Sequence, residues 1–260
     1  MCKLVAATDV SNVYPPPNWN CSRGEPDVNI CGGNHAHWAG VTCSNGKIVA
    51  LALSTQFVVG SLPFALGGLD SLTSIVINQN RLHGNIPNSF QLLSNLVELD
   101  LSFNFLTGQI PPGLFQLPYL NDVKLYTNEL SGTLPTTIGA ATSLTLLDIS
   151  ANQIGGTLPT ELGLLHDLSF LNAGPNKFEK SIPSQVGSMF GLTFLALDGN
   201  QLTGIVPSSL CNLPNLEYLY LYANDSNSFS CYSNCLTSIP TFAHERLYAC
   251  TDTPTSGIPA

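Results

Sequence analysis

The chain repeats the pattern Leu99-x-Leu101-x-x-Asn104-x-Leu106-x-Gly108-x-Ile110-Pro111 along most of its length. The asparagine of this pattern recurs every 24 residues, at positions 80, 104, 128, 152, 176, 200 and 224. The first leucine has counterparts at the same spacing, which are Leu51, Ile75, Leu99, Val123, Leu147, Leu171, Leu195 and Leu219. A fixed period of this kind predicts a solenoid of about eight coils, in which each coil packs only against its neighbours.

The Leu-x-Leu segment predicts one strand in each coil. Strand side chains alternate between the two faces, so the two leucines point inward and the residue between them points outward. Stacked coils then form a parallel sheet on the concave face. The asparagine follows the strand at a turn, where its side-chain amide can satisfy backbone groups that the turn leaves unpaired. We expect a structural ladder of asparagines without a role in binding.

Glycine and proline mark the point where each coil bends. Glycine stands at positions 60, 84, 108, 132, 156 and 204, and proline follows three residues later in seven coils, from position 63 to position 207. Glycine allows a backbone conformation or a close approach that a side chain would block, and proline fixes the direction of the chain. The sixth coil departs from this pattern, because Lys180 occupies the glycine position.

The composition excludes several classes of partner. Only 10% of the residues are charged, and the formal net charge is −9. Nucleic acids, anionic membranes and pectin-like polyanions are disfavoured, since binding them depends on basic side chains. No apolar run approaches the ~20 residues of a membrane span. The apolar stretch at residues 4–7 is too short for a secretory signal, so we expect that a signal has been removed or that the chain is a fragment.

Eight cysteines fall into two groups at the ends of the repeats. Four lie at positions 2, 21, 31 and 43, and four lie at positions 211, 231, 235 and 250. Disulfides that close the two terminal coils explain this division, whereas a cytosolic protein with eight reduced thiols does not. We therefore expect an exported protein with an N-terminal cap at residues 1–46, repeats at 47–235, and a C-terminal cap and tail at 236–260.

The C-terminal cysteines allow a prediction from spacing. Cys211 and Cys235 are 24 residues apart, and equivalent positions of adjacent coils lie roughly 5 Å apart, within the span of a disulfide. We expect the pairs Cys211–Cys235 and Cys231–Cys250, provided that the last coil keeps its register. The alternative is a short loop closed by Cys231 and Cys235.

The segment Leu-x-Gly-x-Ile-Pro resembles the plant-type subclass of leucine-rich repeats, and the resemblance extends from Ile48 to Cys235. The segment Trp38-Ala39-Gly40-Val41-Thr42-Cys43 is similar to the N-terminal cap signature of the same family. The subclass includes receptor-like kinase ectodomains and polygalacturonase-inhibiting proteins. The resemblance implies a curved right-handed α/β solenoid with a short second sheet, a Cys31–Cys43 disulfide and a Cys2–Cys21 disulfide. The cysteine pattern by itself leaves three pairings open at this end.

Catalytic and metal chemistry find little support. The five histidines, at positions 35, 37, 83, 166 and 244, are scattered between the caps and the flanks. His35 and His37 beside Cys31 suggest zinc, but a cap disulfide is the better use of this cysteine. An open sheet without an enclosed pocket is also a poor site for acid–base catalysis. We expect no enzyme activity, no cofactor and no metal.

The residues that point outward from the predicted concave sheet form two chemically different halves. The N-terminal half is acidic around one lysine, and the C-terminal half is aromatic around one aspartate. Exposed aromatic rings anchor interfaces, and acidic side chains attract basic partners. The candidate ligand-binding residues are Glu98, Asp100, Asp122, Lys124, Asp148, Phe170, Phe194, Asp198, Tyr218, Tyr220 and Tyr222. For the three tyrosines the alternative is a structural role beneath the tail, residues 236–250.

These features favour a secreted or cell-surface recognition module that binds a protein or peptide, with a basic partner favoured by the acidic half. An alternative is the binding of ice or a polysaccharide on the flank of the solenoid, where small polar residues recur. That column consists of Ser61, Asn85, Gln109, Thr133, Thr157, Ser181 and Ile205. A direct contact with nucleic acid and insertion into a membrane are not expected.

Overall fold

A computed structural model describes residues 21–22, 25–26, 31, 39–224 and 229–243. Its main feature is a ten-stranded sheet that contains one parallel strand from each of the eight predicted coils. We number the coils 1 to 8 by these strands, which are Lys47–Ala52, Ser74–Val76, Glu98–Asp100, Asp122–Lys124, Leu146–Asp148, Phe170–Asn172, Phe194–Ala196 and Tyr218–Tyr220. Neighbouring strands pair at the predicted spacing, as Leu99 and Val123 do.

Two further strands complete this sheet. Val41–Ser44 pairs antiparallel with the first strand, and Thr241–Ala243 pairs parallel with the last. The C-terminal strand aligns Thr241 with Tyr218, a spacing of 23 residues, so it continues the sheet outside the 24-residue period. A separate pair of short antiparallel strands, Cys21–Ser22 and Glu25–Pro26, lies near the N-terminus.

The second sheet that the family resemblance implies is present in two parts. Coils 1 to 4 form four parallel strands, Val59–Ser61, Arg81–Asn85, Phe105–Gly108 and Glu129–Leu130. Coils 5 to 7 form three, Gly155–Gly156, Lys177–Lys180 and Gln201–Leu202. A single bridge between Thr133 and Gly155 connects the two parts.

The helical component of the fold consists of short 3-10 helices on the convex side. Seven of these helices follow the proline of the repeat, which has the extended backbone expected before a helix, and the eighth follows Ser233. They are Phe64–Gly68, Asn88–Leu92, Pro112–Gln116, Thr136–Ala140, Thr160–Leu164, Ser184–Ser188, Ser208–Asn212 and Asn234–Ser238. None of the helices in the described ranges has the length and apolar character of a membrane span.

The core lies between the concave strands and the convex helices. The inward leucine positions of the strands are fully buried, as Leu99 and Leu101 show, and Phe90, Phe115 and Phe178 are the largest fully buried side chains. Burial of a residue of this size stabilises the fold by about 1.5–3 kcal/mol. The core is continuous from coil to coil, which holds the concave strands in register.

The asparagine ladder is present as predicted. In coil 4 the Asn128 side chain donates hydrogen bonds to the carbonyl oxygens of Leu101 and Leu125, at 3.0 and 3.1 Å. Its Oδ1 accepts a hydrogen bond from the Leu106 N–H at 2.9 Å. Each ladder asparagine therefore joins the end of its own strand to the preceding coil, which supports a structural role.

The predicted cap disulfides are confirmed where the structure describes them. Cys31 is bonded to Cys43, and Cys211 is bonded to Cys235 with a Cα–Cα distance of 5.8 Å. The second bond rules out the alternative Cys231–Cys235 loop. Cys231 is also in a disulfide. The predicted partner Cys250, and the predicted pair of Cys2 with Cys21, fall outside the part of the chain whose side chains are described.

Candidate functional site

The concave sheet brings all eleven candidate residues to one surface. Five of them stand one position before the inward residue of the strand, and four stand directly after it. The other two, Asp198 and Tyr222, come two residues after the ends of neighbouring strands. A backbone hydrogen bond of 3.0 Å from the Gly199 N–H to the Tyr222 carbonyl holds these last two coils together. Because neighbouring strands are parallel and in register, residues 24 positions apart in the sequence lie side by side on the sheet.

Two of the acidic candidates are tied into the protein itself. The Asp100 Oδ1 accepts hydrogen bonds from the backbone N–H and the hydroxyl of Ser102, at 3.0 and 2.6 Å. Asp148 makes the same pair of contacts with Ser150, at the same distances. Asp100 is only 7% exposed. These carboxylates stabilise the turn after their strand, a role that the sequence interpretation missed although the spacing Asp-x-Ser indicates it.

Two further acidic candidates, Glu98 and Asp122, lie near Lys124. The Lys124 ammonium lies 2.8 Å from Asp122 Oδ2 on the same strand. Burial lowers the pKa of Lys124, but the hydrogen bond to Asp122 and the charges of Asp122, Asp100 and Glu98 together raise it above its ordinary value. Glu98 in turn accepts a hydrogen bond from the Ser74 hydroxyl at 2.7 Å. The acidic half therefore keeps one lysine charged and retains an excess of negative charge.

Two acceptor atoms in this half have no donor among the described residues. They are the Asp122 Oδ1 and the Asn78 Oδ1, both buried from solvent. Buried polar atoms are normally hydrogen-bonded, because an unpaired one costs about 1–3 kcal/mol. Both atoms belong to residues on the concave side, in coils 2 and 4.

The aromatic half forms a continuous row across coils 6 to 8. The rings of Phe170 and Phe194 are stacked, with centroids 4.3 Å apart. Phe194 also lies 5.9 Å from the ring of Tyr218 and 5.5 Å from that of Tyr220. Tyr220 and Tyr222 meet edge to face at 6.2 Å. The predicted aromatic cluster is therefore one packed surface.

The described part of the tail leaves these tyrosines accessible. Thr241–Ala243 adds a strand beside Tyr218–Tyr220 and extends the sheet at its edge. Tyr218 remains 40% exposed and Tyr222 36% exposed. The described residues therefore place the tyrosines on the open face, next to the final strand.

The sequence interpretation missed one aromatic contact on the rim of this face. Phe103 and Tyr126 meet edge to face at 5.1 Å, and Phe103 is 43% exposed. Phe103 stands three residues after the strand of coil 3, and Tyr126 stands two residues after the strand of coil 4. Reading these two positions after the strands for aromatic residues would have found them.

The flank column of the alternative hypothesis is solvent-exposed in coils 2 to 7. Its regularity is interrupted in coil 6, where Lys177, Glu179 and Lys180 are all exposed on the same short strand. Lys177 donates a hydrogen bond to the Gln153 side chain at 3.2 Å. This flank is therefore a mixture of charged and neutral polar groups.

Neither of the two described histidines belongs to a catalytic arrangement. His83 is exposed on the second sheet, and His166 stacks on Phe190 with ring centroids 6.0 Å apart. Within the described ranges no three histidine, cysteine or acidic side chains are grouped as a metal ion requires. His35, His37 and His244 lie outside these ranges.

Comparisons with known proteins agree with this architecture. A family model described as Leucine Rich Repeat matches residues 95–117, 143–165 and 191–213. The Arabidopsis thaliana protein named MALE DISCOVERER 1 is 37% identical over 76 residues, which are 28% of this chain and 9% of that protein. The repeats of this chain are leucine-rich repeats similar to those of plant proteins. The chain spans only about a tenth of the length of the curated relatives that it matches.

Solved structures of plant receptors are similar to this leucine-rich repeat protein. The structure of PEPR1-AtPEP1 has a TM-score of 0.79 and 30% identity, and covers 88% of this chain and 31% of its own. The structure of the Arabidopsis receptor kinase HAESA, in complex with the peptide hormone IDA and the co-receptor SERK1, has a TM-score of 0.72 and 34% identity. The match covers 86% of this chain and 37% of the HAESA chain. A plant ice-binding protein has a TM-score of 0.66 over 98% of this chain and 89% of its own, but its 24% identity indicates a shared fold alone.

Proposed function

We propose that this leucine-rich repeat protein is a non-catalytic recognition module that binds a peptide or protein on its concave face, outside the cell. The observation that supports it most strongly is the aromatic row across coils 6 to 8, in which Phe170 and Phe194 stack at 4.3 Å. Rigid aromatic side chains on an open sheet supply contact area at a low cost in conformational entropy, and they anchor many interfaces.

The acidic half supports a ligand with a basic segment. Glu98 and Asp122 are partly exposed beside Lys124, and the Asp122 Oδ1 lacks a donor among the described residues. Negative charge on the face accelerates the approach of a basic partner, and the effect weakens as salt screens it. Asp100 contributes to the field of this surface, but its buried carboxylate is occupied by Ser102.

The proposed location rests on the disulfides and on the similar proteins. The Cys31–Cys43 and Cys211–Cys235 bonds persist in oxidising compartments outside the cytosol. The similar HAESA structure contains a peptide hormone and a co-receptor. A peptide ligand on a cell-surface or secreted protein is consistent with both observations.

Selection of peptide ligands from a random displayed library on the purified chain tests the proposal. We expect Phe194→Ser to weaken a selected peptide by about tenfold or more, because it removes the centre of the aromatic row. Phe64→Ser is the matched control, since Phe64 is 72% exposed on the convex side. An equal loss of peptide affinity in the two variants, or no loss of affinity in Phe194→Ser, would contradict binding on the concave face.

The electrostatic part has a separate test. Glu98→Gln removes one charge from the acidic half and is expected to slow the association of a basic peptide, with the difference disappearing at high salt. Glu161→Gln, on a convex helix, removes the same charge from the opposite side. Similar association rates for these two variants would exclude steering by the acidic half.

Binding of ice or a polysaccharide on the flank remains the alternative. The exposed threonines at 133 and 157 favour it, whereas the exposed charges of Lys177, Glu179 and Lys180 interrupt the array that a flat repeating surface needs. Thermal hysteresis or polysaccharide pull-down measures it directly. Thr133→Tyr combined with Thr157→Tyr should abolish either activity if this flank binds.

A further inference from the structure

Asp198 differs from the other carboxylates of the concave face. Glu98, Asp100 and Asp148 each accept a hydrogen bond from a serine hydroxyl, and Asp122 is paired with Lys124. Asp198 has neither kind of partner among the described residues. Its carboxylate is hydrogen-bonded by the Tyr222 side chain and by its own backbone.

The position of this carboxylate depends on Gly174 in the preceding coil. A β-carbon on Gly174 would come within 2.7 Å of the Asp198 Oδ1 and 2.6 Å of the Asp198 carbonyl oxygen. The equivalent residues of coils 3 and 5 are Ser102 and Ser150, whose hydroxyls bond to aspartates. Gly174 provides space for the Asp198 carboxylate but no side-chain donor, so this carboxylate lies in the hollow that the missing side chain leaves.

A series of aromatic rings begins at this hollow, because Tyr222 hydrogen-bonds to Asp198 and its ring lies 6.2 Å from that of Tyr220. Asp198 follows the strand that carries Phe194, and Tyr220 and Tyr222 come from the next coil. The rings of Phe194 and Tyr220 are 5.5 Å apart, inclined by 50°. The face of an aromatic ring is electronegative and attracts a cation within about 6 Å of its centre. A carboxylate beside several such rings creates a strongly negative local potential.

No basic side chain of the described residues compensates this potential. Lys124 is paired with Asp122 and stands on a strand three coils away from Phe194. The other described basic residues lie elsewhere. Lys47, at the start of the first strand, is paired with Asp70, and three lie on the second sheet, which are Arg81, Lys177 and Lys180. The described residues therefore supply no cation to this carboxylate.

Burial makes an external cation favourable here. Burial of the Asp198 carboxylate raises its pKa above the ordinary value, which shows that the surroundings disfavour the charged form. A carboxylate that is half removed from water and has no cationic partner loses solvation without a matching ionic interaction. A bound cation supplies that interaction.

We infer that the concave face holds an arginine side chain of its partner, with the guanidinium stacked on the rings of Phe194 and Tyr220 and hydrogen-bonded to the Asp198 carboxylate. A guanidinium fits better than an ammonium because it is planar, stacks on aromatic faces and can donate two parallel hydrogen bonds to one carboxylate. The inference deepens the proposed function, on which it rests, by naming the side chain that the aromatic half selects.

Two short peptides provide the test with the full chain: acetyl-Gly-Arg-Gly-amide and the same peptide with citrulline, a neutral isostere of arginine. Shifts of the tyrosine ring resonances on titration report binding at Tyr220 and Tyr222. We expect the arginine peptide to bind about fivefold or more tightly than the citrulline peptide. A lysine peptide should bind more weakly than the arginine peptide, because an ammonium cannot stack or form the two parallel bonds.

Matched variants assign this preference to the site. Asp198→Asn retains the shape of the side chain and an acceptor for Tyr222, and it is expected to abolish the preference for arginine over citrulline. Asp167→Asn changes the net charge by the same amount at an exposed position outside the candidate residues and is expected to retain the preference. Thermal unfolding of both variants checks that each is folded.

The inference is overturned by equal binding of the arginine and citrulline peptides, by an unchanged preference in Asp198→Asn, or by an equal loss of the preference in Asp167→Asn. A lysine peptide that binds as tightly as the arginine peptide would show that the site does not prefer a guanidinium to an ammonium. If the proposed function itself is wrong, library selection will yield no peptide whose binding depends on Phe194. Selected peptides that depend on Phe194 but lack arginine would support the proposed function and refute this inference.

Discussion

Gly132 lies beneath the side chain of Gln109 in the preceding coil. A β-carbon on Gly132 would come within 2.5 Å of the Gln109 side chain, and the backbone of Gly132 has a positive φ of +77°. The same relationship holds at Gly156, where a β-carbon would come within 2.8 Å of Thr133. Glycine is therefore favoured at these two positions for two reasons, its conformation and the space that the flank residue of the neighbouring coil occupies.

These two reasons can be separated by replacing two glycines of the same column. Gly84 has a φ of +75°, but the nearest atom to its added β-carbon is the Ser61 Cβ, at 3.5 Å. Gly84→Ala is expected to lower the free energy of unfolding by about 1–2 kcal/mol, through the left-handed backbone alone. Gly132→Ala should lower it by about 1–3 kcal/mol more, because the added methyl group overlaps with the Gln109 side chain. Urea unfolding measures both, and a Gln109→Ser replacement should recover the additional loss.

Lys180 allows the cost of the left-handed backbone to be measured by the reverse replacement, from a residue with a side chain to glycine. It occupies the glycine position of coil 6 with a φ of +65°, a conformation that a lysine rarely adopts. Lys180→Gly is therefore expected to raise the free energy of unfolding by about 1 kcal/mol. Lys177→Gly removes the same charge from the same strand without this relief, and should lower it by about 0.5–1 kcal/mol. A loss of stability in Lys180→Gly would show that its side chain contributes more than its backbone costs.

The asparagine ladder predicts a large effect from a single amide. Asn128→Ala leaves the Leu106 N–H without its acceptor and removes one of the two side-chain donors to each of the carbonyl oxygens of Leu101 and Leu125. The loss is expected to cost about 1–3 kcal/mol in the free energy of unfolding. Asn128→Asp retains the acceptor for Leu106 but removes the two donated bonds and buries a charge. We expect it to be at least as destabilised near neutral pH and to recover part of the loss in acid.

Much of the fold could be predicted because the sequence repeats each local environment. The spacing of Cys211 and Cys235 equals one coil, which placed them on adjacent coils, and their α-carbons are 5.8 Å apart. The ladder asparagines and the strand positions followed for the same reason. Thr241–Ala243 escaped prediction because its alignment with Tyr218 departs from the period by one residue.

Other features depend on contacts that a column of residue types does not specify. Phe103 and Thr127 adopt the left-handed conformation after their strands, with φ of +51° and +55°, although neither residue type favours it. Asp100 and Asp148 were grouped with the binding residues because they point outward, yet they bond to the serines two positions later. The aromatic residues of coils 6 to 8 lie next to one another because their strands pair in register.

The pH dependence of stability provides a further prediction at Asp198. Burial raises its folded-state pKa above the ordinary value of 3.8, so the folded protein binds this proton more tightly than the unfolded chain does. The contribution of Asp198 to the free energy of unfolding therefore falls as pH rises from 3.8 through the folded-state pKa. Asp198→Asn should match the unaltered protein below this window and be more stable above it, as thermal unfolding across pH will measure.

The affinity for the arginine peptide should also depend on the protonation of Asp198, but it should change with pH in the direction opposite to the stability contribution. The Tyr222 hydroxyl donates to the Asp198 carboxylate, and no described basic residue faces it, so protonation of Asp198 removes the negative charge that a guanidinium requires. Affinity for the arginine peptide is expected to rise with pH across the window in which the contribution of Asp198 to stability falls. In Asp198→Asn both slopes should disappear together. If affinity and stability change with pH in the same direction, another group controls the binding.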